Sequence, residues 1–141
     1  MNIAITGGGS GLGAAIVDAI LDLEPVRNSR QDVNIYNLST GHYHPHRDVI
    51  NIHCDVKNAQ EIAEARYHLP LKIDTLVNCA GMNEINFIED LEEDEWDRVL
   101  NTNAKGIYLT VKGLLLNLKG GTILNIVSNA SHVPMTSSLA Y

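Results

Sequence analysis

Thr6-Gly7-Gly8-Gly9-Ser10-Gly11-Leu12-Gly13 stands between a short apolar run, Asn2 to Thr6, and a segment whose apolar residues take up helical spacing from Gly11 onward. No other stretch limits the fold as strongly. Leu12, Ala15, Ile16, Ala19, Ile20 and Leu23 recur at three and four residues, the period of one helix face, whereas Asn-Ile-Ala-Ile-Thr is a β-type run closed by glycine. The order is strand, turn, helix. Glycine lets the backbone turn tightly and approach a ligand closely. The free N–H groups of a helix's first turn, at the positive end of its dipole, favour an anion. The anion expected at Gly7, Gly11 and Gly13 is the pyrophosphate of a dinucleotide. A Walker-type phosphate loop needs Lys followed by Ser or Thr after its last glycine, and no such pair follows here. A glycine turn without any ligand is the remaining alternative, and the motifs downstream weigh against it.

The rest of the chain repeats the alternation. Residues 33–38 (VNIYNL) read as a second strand, 39–48 (STGHYHPHRD) as a loop and 49–54 (VINIHC) as a third strand. A polar helix follows from about Asn58 to His68, and Pro70 restarts the chain toward a fourth strand within KIDTLVNCA. Pro25 and the polar residues 27–31 are expected to end the first helix. From Asp90 to about Leu118 the pattern is helical. Asp90 with Glu93 offers a start resembling a capping box, and Trp96, Val99, Leu100 and Asn103 share one face. Residues 107–118 are apolar nearly all round, so other parts of the protein or a partner should cover them. Residues 120–128 (GGTILNIVS) give a fifth strand. Strands alternating with helices predict a parallel sheet with helices on its faces, in one domain over residues 1–141.

Composition narrows the function. Seventeen acidic against ten basic residues give a formal charge of −7, a field that disfavours nucleic acid and anionic membranes as partners. Cys54 and Cys79 are the only cysteines, lie in apolar runs without C-x-x-C spacing, and read as buried thiols of a reducing compartment. Ile3-Ala4-Ile5 is too short for a secretory signal, and no apolar run approaches the ~20 residues of a membrane span. A cytoplasmic location is expected.

With the glycine loop, Asn78-Cys79-Ala80-Gly81, Asn101-Thr102-Asn103-Ala104-Lys105-Gly106, and Ser128 followed thirteen positions later by Tyr141, the chain resembles the short-chain dehydrogenase/reductase family of classical type. The resemblance runs along essentially all 141 residues. It implies an α/β fold of Rossmann type, a doubly wound parallel sheet of about five strands in the order 3-2-1-4-5 with helices on both faces. It implies contacts to a nicotinamide dinucleotide at Thr6, Gly7, Gly9, Ser10, Gly11, Leu12 and Gly13. Asp55 and Val56 would meet the adenine, and Asn78, Ala80 and Gly81 would line the cofactor, with Cys79 where the family carries a second Asn. Asn103 matches the Asn that kinks the long helix and serves the proton relay, Ser128 the Ser that orients the substrate carbonyl, and Tyr141 the general acid/base. Taken singly, Asp55 could instead cap a helix, Asn78 form a turn and Asn103 be a satisfied core amide.

Reducing a carbonyl by hydride puts negative charge on its oxygen, so a proton donor and a hydrogen bond must wait there. The resemblance gives those roles to Tyr141 and Ser128. A free phenol has a pKa of about 10, and the family places a Lys four residues beyond the Tyr to lower it. The 141 residues stop before that position, so the expectation is an NAD(P)-dependent oxidoreductase whose chain, as written, is a weak catalyst or none. The alternative is a dinucleotide-binding sensor acting through a partner.

The family's acidic ribose-binding position falls near Asn37. With no repelling acid there, and with Ser39, Thr40 and Arg47 available, NADP is favoured slightly over NAD. His42, His44 and His46 alternate as metal ligands on an extended segment would, but no Cys or acid completes a set and Pro45 interrupts it, so no metal is expected and a solvated loop is preferred. The resemblance implies a small carbonyl compound or alcohol as substrate, with Asn83, Glu84 and Phe87 expected to touch it, and a homo-oligomer joined through residues 107–118, with Leu114, Leu115 and Leu116 facing water or another chain.

Overall fold

The computed structural model describes residues 1–23, 33–133 and 135–141. Five strands form one sheet: β1 (Asn2–Thr6), β2 (Asn34–Ser39), β3 (Val49–His53), β4 (Thr75–Asn78) and β5 (Thr122–Asn125). Their order is β3-β2-β1-β4-β5 and every pairing is parallel. This is the doubly wound order that the family resemblance implies. Parallel strands need crossovers, which α1 (Gly11–Leu21), α2 (Ala59–Ala65), α3 (Glu93–Leu100) and α4 (Gly106–Leu114) help to supply. Pro25 and residues 27–31, expected to end the first helix, lie outside the described residues.

Because a strand alternates its side chains, β1 serves two cores. Ile3 and Ile5 pack with Val17 of α1, Ile35, Val49 and Val77. Ala4 points the other way, into a cluster with Leu38, Ile52, Ile62, Leu76 and Leu114 beneath α2 and α4. Burial on both faces explains why β1 reads as a continuous apolar run. Asp74 ties the start of β4 to β1, its carboxylate accepting from Asn2 N–H at 2.8 Å.

Three expectations need correction. The capping box belongs to Glu92 and Glu95 rather than Asp90 and Glu93, because Asp90 N–H is already spent on the Phe87 carbonyl and the chain is still turning there. The helix expected over 90–118 does break at Asn103 as the resemblance implied, through a widened π-type turn at Asn101–Lys105, but it ends at Leu114, after which Gly120 (φ 75°) and the Gly121 N–H bond to the Leu118 carbonyl turn the chain into β5. Leu114 is fully buried, and only Leu115 (61% exposed) and Leu116 (72%) face outward. No helix among the described residues is long and apolar enough to cross a membrane.

Candidate active site

An open cleft of about 920 Å³ lies at the carboxyl ends of the strands, where a doubly wound sheet receives its ligands. Its floor is the glycine loop between β1 and α1. Gly7 (φ 70°) and Gly11 (φ 50°) hold left-handed backbone. A Cβ on Gly13 would overlap the Gly7 carbonyl, so glycine there lets α1 begin against the end of β1. A Cβ on Gly11 would meet nothing within 4 Å, which leaves the cleft side of the loop open. Ser10 stands at the N-cap with extended backbone and no side-chain cap bond, so its hydroxyl does not occupy the first-turn donors of α1.

Thr6, Gly9, Asn37 and Asn78 were all expected to touch a cofactor, and none of them lines the cleft. They build it from beneath. Thr6 Oγ1 accepts from Cys79 N and Ala80 N, each at 3.1 Å, and so holds the turn after β4 against β1. Asn78 is buried and donates to Asn125 Oδ1 at 2.8 Å. Gly9 faces the His42 carbonyl so closely that a Cβ would overlap it. Asn37 is fully buried under this contact, donating from Nδ2 to Asn51 Oδ1 (2.8 Å) and the His42 carbonyl (3.3 Å). The cleft position at the end of β2 passes to Ser39, Thr40 and, beyond them, His42. Arg47, weighed for a phosphate, is 91% exposed at its side chain, pairs with Asp48 at 3.6 Å and does not line the cleft.

Asp55 and Val56 border the cleft beyond β3. Asp55 neither caps α2, a task taken by Asn58, nor stands alone: its carboxylate accepts from Lys57 N at 2.9 Å and pairs with Lys57 Nζ at 3.4 Å. Lys57 also lines the cleft; its place two residues after Asp55 was the available signal. Burial, then the charges of Glu61 and Asp55, push the Cys54 thiol up to about 12, and burial raises Cys79. Both thiols border the cleft, Cys54 buried and Cys79 partly exposed.

Toward the far end, Asn103 lies in the widened turn that breaks the long helix. Its side chain closes a ring with Met82, accepting from Met82 N (2.9 Å) and donating to the Met82 carbonyl (2.8 Å). Ala80, Gly81, Met82 and Asn83 thereby form one wall, and Ser128 and Tyr141 border the same cleft. Ser128 Oγ accepts from Ala130 N at 3.1 Å. Met82, Thr102, Ile107, Ile126 and Val127 also border it, and no spacing rule in the sequence marks them.

The imidazoles of His44 and His46 are taken up by local contacts. His44 is buried, not solvated: its Nε2 lies 3.3 Å from Asp18 and its Nδ1 accepts from His46 N, while His46 Nδ1 accepts from Asp48 N. Among the described residues no three His, Cys, Asp or Glu side chains converge as a metal site.

The sheet order and glycine loop define a Rossmann-type architecture. The family model described as short chain dehydrogenase matches residues 1–141, and the chain belongs to that oxidoreductase family. It is 30% identical to the D-threitol dehydrogenase of Mycolicibacterium smegmatis over 97% of this chain and 56% of that protein, and 29% identical to the NAD-dependent glycerol dehydrogenase of Listeria innocua over the same shares. Among solved structures it is similar to the aldohexose dehydrogenase of Thermoplasma acidophilum (TM-score 0.83, 25% identity, 99% of this chain and 54% of that one). The 3-ketoacyl-(acyl-carrier-protein) reductase of Brucella melitensis complexed with NADH shares the fold (TM-score 0.78, 21% identity, 99% and 62%). The chain spans a little over half the length of these curated relatives.

Proposed function

We propose that this chain binds a nicotinamide dinucleotide in the cleft and serves the interconversion of a small carbonyl compound and its alcohol. The observation that carries the reading is that Ser128 and Tyr141 border the same cleft as the open face of the glycine loop. The residues present fit the group. Gly11 leaves room for a pyrophosphate that a side chain would fill, and the first turn of α1 offers it N–H donors and a positive dipole end. Asp55 and Val56 would meet the adenine, and Ala80 and Gly81 would line the nicotinamide end.

When bound, the dinucleotide supplies or takes up hydride. The chain's own residues manage the oxygen. Ser128 Oγ donates a hydrogen bond to the carbonyl oxygen, and the Tyr141 phenol delivers a proton there in reduction and accepts one in oxidation. Asn103 holds Met82, and with it the wall facing these groups, in place.

The phosphorylated cofactor is favoured because the end of β2 offers the cleft Ser39 and Thr40 rather than a carboxylate, with His42 and Lys57 as the nearby basic groups. Small polyols and their ketones are the first substrates to try, since two relatives are named for D-threitol and glycerol. The free thiols of Cys54 and Cys79 suit the cytoplasm. A second copy of the chain covers the stripe of Tyr108, Leu115 and Leu116.

The test is titration of the purified protein with NADPH and NADH, followed by turnover with small hydroxyketones in wild type and Tyr141→Phe. Binding with turnover abolished by the substitution supports the reading. Absence of binding to either dinucleotide would refute it.

A further inference from the structure

The segment after β4 is fastened to the helix that follows it at three points. Met82 is ringed by Asn103, Glu84 takes Arg98 at 3.1 Å, and Asn86 Nδ2 donates to Glu95 at 2.9 Å. Arg98 also pairs with Asp94 of its own helix at 2.7 Å. Residues 82–86 are therefore a rail pinned along the long helix, with Met82 and Asn83 on the cleft. Against this rail lies the piece of chain that carries Tyr141. Asn83 Nδ2 donates to Ser138 Oγ at 3.0 Å, Asn86 and Ser138 form a parallel bridge, and Ser138 is 6% exposed. The Ser138 carbonyl then accepts from Tyr141 N at 3.3 Å.

We propose that Asn83 is a positioning residue for Tyr141, acting through Ser138. The inference rests on the reading of Tyr141 as the proton carrier. No regular element among the described residues runs through 132–141, where the local hydrogen bonds span three or four residues. The Asn83–Ser138 hydrogen bond is a long-range tie on this segment, and through the Ser138 carbonyl it connects the Tyr141 backbone to the residues fastened to α3 and to the widened turn at Asn103.

The experiment compares Asn83→Ala, Ser138→Ala, the double variant and Asn83→Asp in the intact gene product. It reads kcat and KM separately, together with amide hydrogen exchange in the 136–141 peptide. Loss of positioning should lower kcat roughly 10- to 100-fold with KM little changed, as misplacement of a reacting group does. The double variant should be no worse than either single one, because the two residues act as one unit. Asn83→Asp should recover most of kcat, since the Ser138 hydroxyl can turn and donate to the carboxylate. Exchange at 136–141 should quicken in Asn83→Ala. Additive losses, an effect confined to KM, or unchanged exchange would overturn the proposal. A wild type that binds dinucleotide but turns over no substrate overturns the reductase reading instead. Exchange alone then decides, faster exchange in Asn83→Ala supporting the link and unchanged exchange overturning it.

Discussion

One hydroxyl, Thr6 Oγ1, accepts hydrogen bonds from both Cys79 N and Ala80 N, each at 3.1 Å. The side chain is 1% exposed, so water does not replace it. Thr6→Val keeps the shape and removes the acceptor, leaving two backbone donors without this partner. The expected loss is about 1–3 kcal/mol of stability, the cost of orphaned buried polar groups. Dinucleotide affinity should fall as well, because the turn at Ala80 and Gly81 forms the cleft wall. Urea unfolding and cofactor titration of the variant check both; a variant with wild-type stability would show the two bonds to be dispensable.

Gly11 and Gly13 separate folding from binding. At Gly13 a Cβ would meet the Gly7 carbonyl, so Gly13→Ala forces α1 away from β1 and should destabilise the fold and abolish dinucleotide binding together. At Gly11 the space is open but φ is 50°. Gly11→Ala should cost about 1–3 kcal/mol for left-handed backbone, still fold, and lose affinity because its methyl stands where a pyrophosphate would approach. Circular dichroism melts set beside dinucleotide titrations distinguish the two. Equal melts with equal loss of binding would contradict the steric account of Gly13.

These contrasts show what the sequence carries. β1, β2 and β4 were legible because burial on both faces leaves an apolar run and the glycine loop fixes where the first one ends. The break at Asn101–Lys105 was not legible as a change of helix type, since a widened turn adds one residue without disturbing the apolar content on either side. The shift from Asn37 to Ser39 has a similar cause. Position along a strand says which face a residue takes, but the loop at His42 decides which residues stay uncovered, and its course over Gly9 depends on the Asn37–Asn51 hydrogen bond formed between strands. Asp55, Asn103, Ser128 and Tyr141 are singled out by the family's motif order alone, and all four border one cleft.

The two thiols should differ in reactivity. Cys54 is 1% exposed, and its pKa, raised from the ordinary 9.0 to about 12, keeps it protonated, whereas Cys79 is partly exposed on the cleft. Iodoacetamide at pH 8 should alkylate Cys79 first, and dinucleotide should slow that reaction. The same shift carries a stability consequence. Unfolded Cys54 releases its proton from about pH 9 while the folded form holds it to about 12. The native state therefore binds more protons in that window, and stability falls as pH rises through it. Urea midpoints at pH 8 and pH 10.5 should diverge more in wild type than in Cys54→Ala; an equal fall in both would remove Cys54 from the account.

Tyr108, Lys112, Leu115 and Leu116 follow one another at four, three and one residues along α4 and just past its end. Tyr108, Leu115 and Leu116 are 56%, 61% and 72% exposed, while Leu114 fills the core beside them. Burying a leucine contributes about 1.5–3 kcal/mol. In a two-fold interface each leucine counts on both copies, so one substitution acts twice. Leu115→Glu and Leu116→Glu should therefore weaken self-association by about a hundredfold or more while leaving the melt close to wild type, since neither side chain belongs to the core. Sedimentation equilibrium over a concentration series reads this directly. Wild type and both variants sedimenting alike at every concentration would sink the proposal and leave the stripe as ordinary exposed surface. Dissociation of the variants with unchanged dinucleotide affinity would show that the interface and the cleft are energetically separate.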